Sequence, residues 1–252
     1  MANDTDKLRT LDLFSGIGGI SLALQPWCET VCYCEIDPYA AGSLIKDMAE
    51  GNLGVAPIWD NVTTFGRSEI DQVGPIECIT GGFPCQDISC AGKGAGITGS
   101  RSGLFFEIIR IIRLARPRIV FLENVPAILV RGLDTVLGEL AESGYNARWK
   151  VLSAAEVGAS HLRDRFFLFA SDTNSFGLET LRNNGGGEKI YREGPSSQNN
   201  TIDAVKRFWE TTSRTYRGIH GIPNRVDRLR CLGNAVVPQQ ARKAFEILME
   251  NE

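Results

Sequence analysis

Short apolar runs and longer amphipathic stretches alternate through the first 170 residues of the chain. The runs 9–13, 30–34, 55–58, 77–80 and 119–123 are too short for stable helices. Their near-continuous apolar character is that of parallel strands buried on both faces. Between them, 19–24, 38–49, 102–115 and 133–143 carry apolar residues at helical spacing. Ser102 suits the start of the third stretch, Pro117 follows its end, and Gly144 follows the fourth. Segments 145–152 and 165–171 then predict a closing antiparallel pair. Such alternation predicts an α/β fold with a doubly wound sheet, whose ligands gather at the carboxyl ends of the strands.

The pattern changes after Ser171. Residues 183–187 and 194–200 are turn-rich and poor in large apolar side chains, which predicts loops of a small lobe or partly disordered segments. Order returns from Leu232: Gly233-Asn234 predicts a turn, and a helix from Pro238 sets Ala241, Ala244, Phe245 and Leu248 on one face.

Composition narrows the class. The chain has 252 residues, 43% of them hydrophobic, enough for one large core. No apolar run approaches membrane-spanning length, and the polar start lacks a signal-peptide hydrophobic region. Seven cysteines form no regular disulfide framework, as expected in a reducing cytoplasm. Cys28, Cys32 and Cys34 lack zinc-ligand spacing and the chain has two histidines, so no metal site is expected. A net charge of −3 argues against a wholly basic nucleic-acid coat. Cations nevertheless cluster at Lys206, Arg207, Arg214, Arg217, Arg225, Arg228 and Arg230, interleaved with Trp209, Tyr216 and His220. That cluster is either a solvated face or a phosphate-binding surface.

The candidate chemistry centres on Gly81-Gly-Phe-Pro-Cys-Gln-Asp-Ile-Ser89. The glycines would let the backbone turn and a ligand approach, while Pro84 fixes the main chain just before Cys85. Taken alone, Cys85 reads as a buried loop cysteine. The wider chain changes that reading. Pro84, Cys85, Gln86 and Ser89 resemble the catalytic loop of DNA cytosine-5 methyltransferases. In that family's order, Leu11-Asp-Leu-Phe-Ser-Gly-Ile-Gly-Gly19 is similar to the cofactor loop, Glu35-Ile-Asp37 to the ribose segment and Asp60-Asn-Val62 to the adenine segment. Glu123-Asn-Val125 resembles the second catalytic motif, Arg163-Asp-Arg165 the Gln-x-Arg-x-Arg motif, and Gly233-Asn-Ala-Val-Val-Pro-Gln239 the closing motif. His161 stands where that motif usually has Gln, so a DNA contact by that Gln is not carried over.

The resemblance implies a Rossmann-like S-adenosylmethionine-dependent methyltransferase fold with a mixed sheet and a small irregular target-recognition region. It divides the chain into a catalytic and cofactor domain at 1–171, a recognition region at 172–225 and a C-terminal segment at 226–252 that packs back on the first domain. The implied catalytic residues are Cys85, which adds to cytosine C6, Glu123 at N3 and Arg165 at O2. The implied cofactor is S-adenosyl-L-methionine, with S-adenosyl-L-homocysteine as product, held by Phe14, Ser15, Gly16, Gly18, Gly19, Glu35, Ile36, Asp60, Asn61, Pro84, Asn234, Ala235 and Val236. The implied DNA-binding residues are Gln86, Ser89, Arg101, Arg163, Lys206, Arg207 and Arg214, with Arg163 more a supporting or backbone contact. Duplex DNA is the implied partner of a monomeric cytoplasmic enzyme, and a cognate restriction endonuclease acting independently stays open. Glycine-rich residues 86–103 resemble the family's mobile loop, which closes over a flipped base.

Plainer readings stand beside these. Phe14 also suits a core aromatic, Glu123 a carboxylate at a helix start, and Arg165 an ion-pair partner. An RNA cytosine-5 methyltransferase of the tRNA-modifying type is the alternative within the same chemistry. A nicotinamide-dependent oxidoreductase is the alternative outside it, weakened because the glycine loop lacks the third position of Gly-x-Gly-x-x-Gly.

Overall fold

The computed structural model describes residues 7–83, 103–173, 231 and 233–250. Its centre is a seven-stranded sheet: β1 Leu8–Leu13, β2 Cys28–Cys34, β3 Ile58–Trp59, β4 Cys78–Gly82, β5 Ile119–Asn124, β6 Tyr145–Ser153 and β7 Asp164–Asp172. The order is β3-β2-β1-β4-β5-β7-β6, so the chain leaves β1 in both directions and creates a crevice between β1 and β4. β1 to β5 pair in parallel, and β7 runs antiparallel between β5 and β6. The expected closing antiparallel pair is therefore present.

Helices cover both faces: α1 Gly19–Leu24, α2 Pro38–Ala49, α3 Arg67–Val73, α4 Leu104–Ala115, α5 Ile128–Arg131, α6 Leu133–Glu142 and α7 Pro238–Glu250. One face holds Leu11, Leu13, Ile79, Val120 and Leu122 against α3 to α6, with Phe105, Ile108, Ile109 and Ile112 of α4 fully or nearly fully buried. The opposite face holds Phe121, Phe167 and Phe169 against α1 and α7. Neighbouring strand residues thus feed two different cores, as the two-residue side-chain period requires. α7 packs its predicted face, Ala241, Ala244, Phe245 and Leu248, into that second core. Phe245 lies 5.2 Å from Trp27, 5.2 Å from Phe121 and 5.6 Å from Phe169, ring to ring.

Four sequence expectations need correction. The run 55–58 yields only the two-residue edge strand β3, and Val55 is 85% exposed. Pro57 has no N–H to add to a ladder and contributes only its carbonyl, to Tyr33. Helix α3 was not expected. It is seven residues long between Gly66 and Gly74, too short for its period to show, and Glu69 starts it by accepting the Gly66 amide. Gly233 and Asn234 lie in a helical turn rather than a reverse turn, with the Ala235 amide donating to the Cys231 carbonyl at 2.8 Å. Gly81 and Gly82 continue β4 instead of turning, paired with Leu122 and Glu123. Their lack of a side chain serves close packing. A Cβ on Gly81 would lie 2.7 Å from the Leu13 carbonyl oxygen, and one on Gly82 would lie 2.8 Å from Glu123 Oε2. Ser102 and segments 183–187 and 194–200 lie outside the described residues, as does the predicted recognition region beyond Thr173.

Candidate active site

A cavity of about 320 Å³ opens at the carboxyl ends of β1, β2, β4 and β5, where the crevice in strand order predicts it. Its first wall is the loop after β1. Phe14 takes a left-handed φ of 54°, unusual for a residue with a side chain, and Gly16 follows at 55°. Ser15 holds this loop to the sheet: its hydroxyl donates to the Asp12 carbonyl at 2.7 Å and accepts the Cys34 amide at 3.1 Å. Glu35, at the end of β2, accepts the Gly16 amide on one oxygen and the Asp37 amide on the other, each at 2.7 Å. Asp37 in turn caps α2, accepting from the Tyr39 and Ala40 amides.

The facing wall carries the candidate catalytic pair. Arg165 Nε lies 2.7 Å from Glu123 Oε1, and the two side chains are only 14% and 12% exposed. Burial pushes the Glu123 carboxyl up to about 7, against the pull of the Arg165 and Arg163 cations. It therefore changes protonation near neutral pH, as an acid–base group should. Asn124, buried beside it, accepts the Val125 amide at 2.8 Å and is 3.5 Å from the Phe83 carbonyl, linking the exits of β5 and β4.

Of the expected cofactor residues, Phe14, Ser15, Gly16, Gly19, Glu35, Ile36, Asn234, Ala235 and Val236 line this cavity. Phe14 also packs against the core, so its two readings are compatible. Three expected residues do not line it. Gly18 backs onto Leu53 and Leu44 instead. Asp60 is exposed beyond β3, and Asn61 uses its side chain to cap the turn at Val62–Thr64. Arg163 does not line the cavity either: its Nη2 donates to the Gly233 and Ala235 carbonyls, both at 2.7 Å. Pro84, Cys85, Gln86, Ser89, Arg101, Lys206, Arg207 and Arg214 lie outside the described residues.

Two residues escaped the sequence reading. Asp12, 1% exposed at the centre of β1, accepts hydroxyl bonds from Ser21 of α1 and Thr80 of β4, both at 2.7 Å. Burial lifts its carboxyl to about 6, against these two bonds, and like charge on Glu35 adds to the rise. Its signal was an acid between Leu11 and Leu13 in an otherwise apolar strand. Gln240 is fully buried at the start of α7, a position that helical periodicity alone does not distinguish. Cys32 and Cys34, by contrast, are poor nucleophiles: burial pushes Cys32 up to about 11 and Cys34 up to about 12.

A family model for C-5 cytosine-specific DNA methylases matches residues 8–215. The chain belongs to this family. Type II methyltransferase M.CviJI of Paramecium bursaria Chlorella virus IL3A is 32% identical over 240 residues, 95% of this chain and 59% of that protein. Type II methyltransferase M.NgoBI of Neisseria gonorrhoeae is 34% identical over 171 residues, 66% of this chain and 51% of that protein. The chain thus spans between half and three fifths of the length of these relatives. A solved Spodoptera frugiperda DNMT2 structure superposes with a TM-score of 0.55 at 22% identity, covering 68% of this chain and 51% of that one. That likeness supports the Rossmann-like fold. Among the described residues, no helix is long and apolar enough to cross a membrane.

Proposed function

We propose that this chain is a DNA cytosine-5 methyltransferase, moving a methyl group from S-adenosyl-L-methionine to C5 of a cytosine flipped out of duplex DNA. The observation that carries the reading is the buried Glu123–Arg165 pair, facing the Glu35-tied glycine loop across one cavity. Phe83 lines the same cavity and precedes Cys85 by two residues.

The cavity chemistry fits the cofactor. Each Glu35 oxygen accepts one amide and keeps a lone pair for a ribose hydroxyl. Ile36, 73% exposed, and Phe14 offer apolar surface to a purine. S-adenosyl-L-methionine supplies an electrophilic methyl group on a sulfonium centre.

The chain's residues make C5 reactive. The Cys85 thiolate forms a bond to C6, the C5=C6 electron pair shifts to C4=C5, the C4=N3 pair moves onto N3, and N3 takes up the proton that Glu123 carries. The raised Glu123 carboxyl holds that proton near pH 7. Arg165 donates to O2 and balances the negative charge left on Glu123. After methyl transfer, which restores C4=N3, the N3 proton returns to Glu123, a base removes the C5 proton, C5=C6 re-forms and the Cys85 thiolate leaves.

Lys206, Arg207 and Arg214 supply phosphate contacts in this reading, and residues 172–225 read a site of about two to five base pairs, since each bidentate base contact needs a rigidly held side chain.

The test is transfer of labelled methyl to duplex DNA, with tRNA as the competing substrate. Transfer to DNA is expected. Cys85→Ser should abolish it, and should remove the covalent complex with 5-fluorocytosine duplexes while S-adenosyl-L-homocysteine still binds. Turnover by Cys85→Ser, transfer confined to tRNA, or binding of NAD in place of S-adenosyl-L-homocysteine would each overturn the proposal.

A further inference from the structure

Two polar side chains tie the last helix and the segment before it to the strand that carries Arg165. Arg163 extends from the start of β7 and donates through Nη2 to the carbonyls of Gly233 and Ala235, both at 2.7 Å. Gln240, fully buried at the first turn of α7, donates through Nε2 to the carbonyls of Leu152 and Arg163, also both at 2.7 Å. Each segment thus grips the other: the β7 arginine holds the closing segment, and the α7 glutamine holds the backbone of that arginine.

The two ends of this clasp are cavity walls. Asn234, Ala235 and Val236 line the cavity on one side, and Arg165, two residues beyond Arg163, lines it on the other. Val236 presses directly on the glycine loop, since a Cβ built on Gly19 would lie 2.9 Å from Val236 Cγ1 and 3.1 Å from its carbonyl oxygen. A shift of the closing segment therefore moves the wall behind the loop and the strand that carries Arg165 together.

Packing alone does not call for these groups. Ala241, Ala244, Phe245 and Leu248 already bury α7 against the sheet. Arg163 is instead a costly residue to keep there. Burial and the like charge of Arg165 lower its pKa, and its buried Nε has no partner among the described residues, nor does Gln240 Oε1. Both bonds leave one nitrogen, Nη2, whose direction the planar guanidinium fixes, whereas a lysine ammonium has donors enough but sits on a flexible stem.

We propose that Arg163 and Gln240 are positioning residues, a clasp that sets the closing segment Gly233–Val236 and Arg165 in one frame so that cofactor and base are held in register. The inference rests on the methyltransferase reading of the cavity, but its structural half can be tested without ligand.

Arg163→Ala should weaken S-adenosyl-L-homocysteine binding, measured by calorimetry, by about tenfold or more, since two charge-assisted bonds to the wall are lost. In the ligand-free protein, amide hydrogen exchange should accelerate at Ala235, Gln240 and Ala241 while Phe245 to Met249 keep wild-type protection. Ethylguanidinium should restore both properties and ethylammonium should not. Wild-type affinity with unchanged exchange would overturn the clasp. So would acceleration spread evenly through α7, or rescue by both cations alike. If Arg163→Ala does not fold, Arg163→Lys carries the test: the same exchange pattern and a several-fold affinity loss are expected, and unchanged values in both overturn it. Should the wild-type chain fail to bind S-adenosyl-L-homocysteine, the functional reading fails and the exchange measurements still decide the clasp.

Discussion

Asp12→Asn isolates the energetics of the carboxylate buried beneath the glycine loop. In the folded chain its carboxyl is raised from 3.8 to about 6, chiefly by burial. A carboxyl raised on folding binds its proton more tightly in the folded state. The stability this contributes is complete below 3.8 and is lost as pH rises through about 6. At about 1.4 kcal/mol per pKa unit, the whole difference is about 3 kcal/mol, and about 1.4 kcal/mol of it falls between pH 5 and pH 8. Asparagine has the same shape and does not titrate, and the Ser21 and Thr80 hydroxyls can turn to meet an amide. Any fixed cost of the substitution cancels when variant and wild type are compared across pH. Urea unfolding followed by tryptophan fluorescence at pH 5, 6, 7 and 8 and constant ionic strength measures this directly. The variant should gain on the wild type by about 1.4 kcal/mol from pH 5 to pH 8. A stability difference that stays flat within about 0.5 kcal/mol would refute the buried, titrating carboxylate.

Three further outcomes follow from the site and the core. If protonated Glu123 serves the chemical step, single-turnover methyl transfer should fall as pH rises through about 7, and Glu123→Gln should be slow but without that fall; a Gln variant retaining the wild-type pH profile would show that another group titrates. Gly82→Ala puts a Cβ 2.8 Å from Glu123 Oε2 and should cut the rate of transfer about tenfold or more while changing S-adenosyl-L-homocysteine affinity little; equal rate constants would mean the carboxylate moves aside without consequence. Phe245→Ala removes the ring that meets Trp27, Phe121 and Phe169, so chemical unfolding should register a loss of about 3–5 kcal/mol. A loss below about 1 kcal/mol would mean α7 is peripheral to the core.

The residues along the chain were enough to determine the repeating strands and helices, their two-sided burial, and the order of motifs. Each of these depends on local periodicity or on short stretches of contiguous residues. β1, α2, α4 and β5 were legible for that reason, and so was the placement of Glu35, Glu123 and Arg165 at strand ends, where they line one cavity. What only the tertiary structure decided is which distant groups meet. Sheet order sets β4 between β1 and β5, and that neighbourhood makes Gly81 and Gly82 packing residues rather than turn residues. It joins Asp12 to Thr80 across 68 positions of sequence. It also makes Arg163, which reads from sequence as a supporting or backbone contact, a donor to carbonyls 70 and 72 residues away. Hydrogen bonds between segments so far apart leave no periodic trace in the chain, because their geometry is set by how the sheet and its last helix pack rather than by the spacing of the residues themselves.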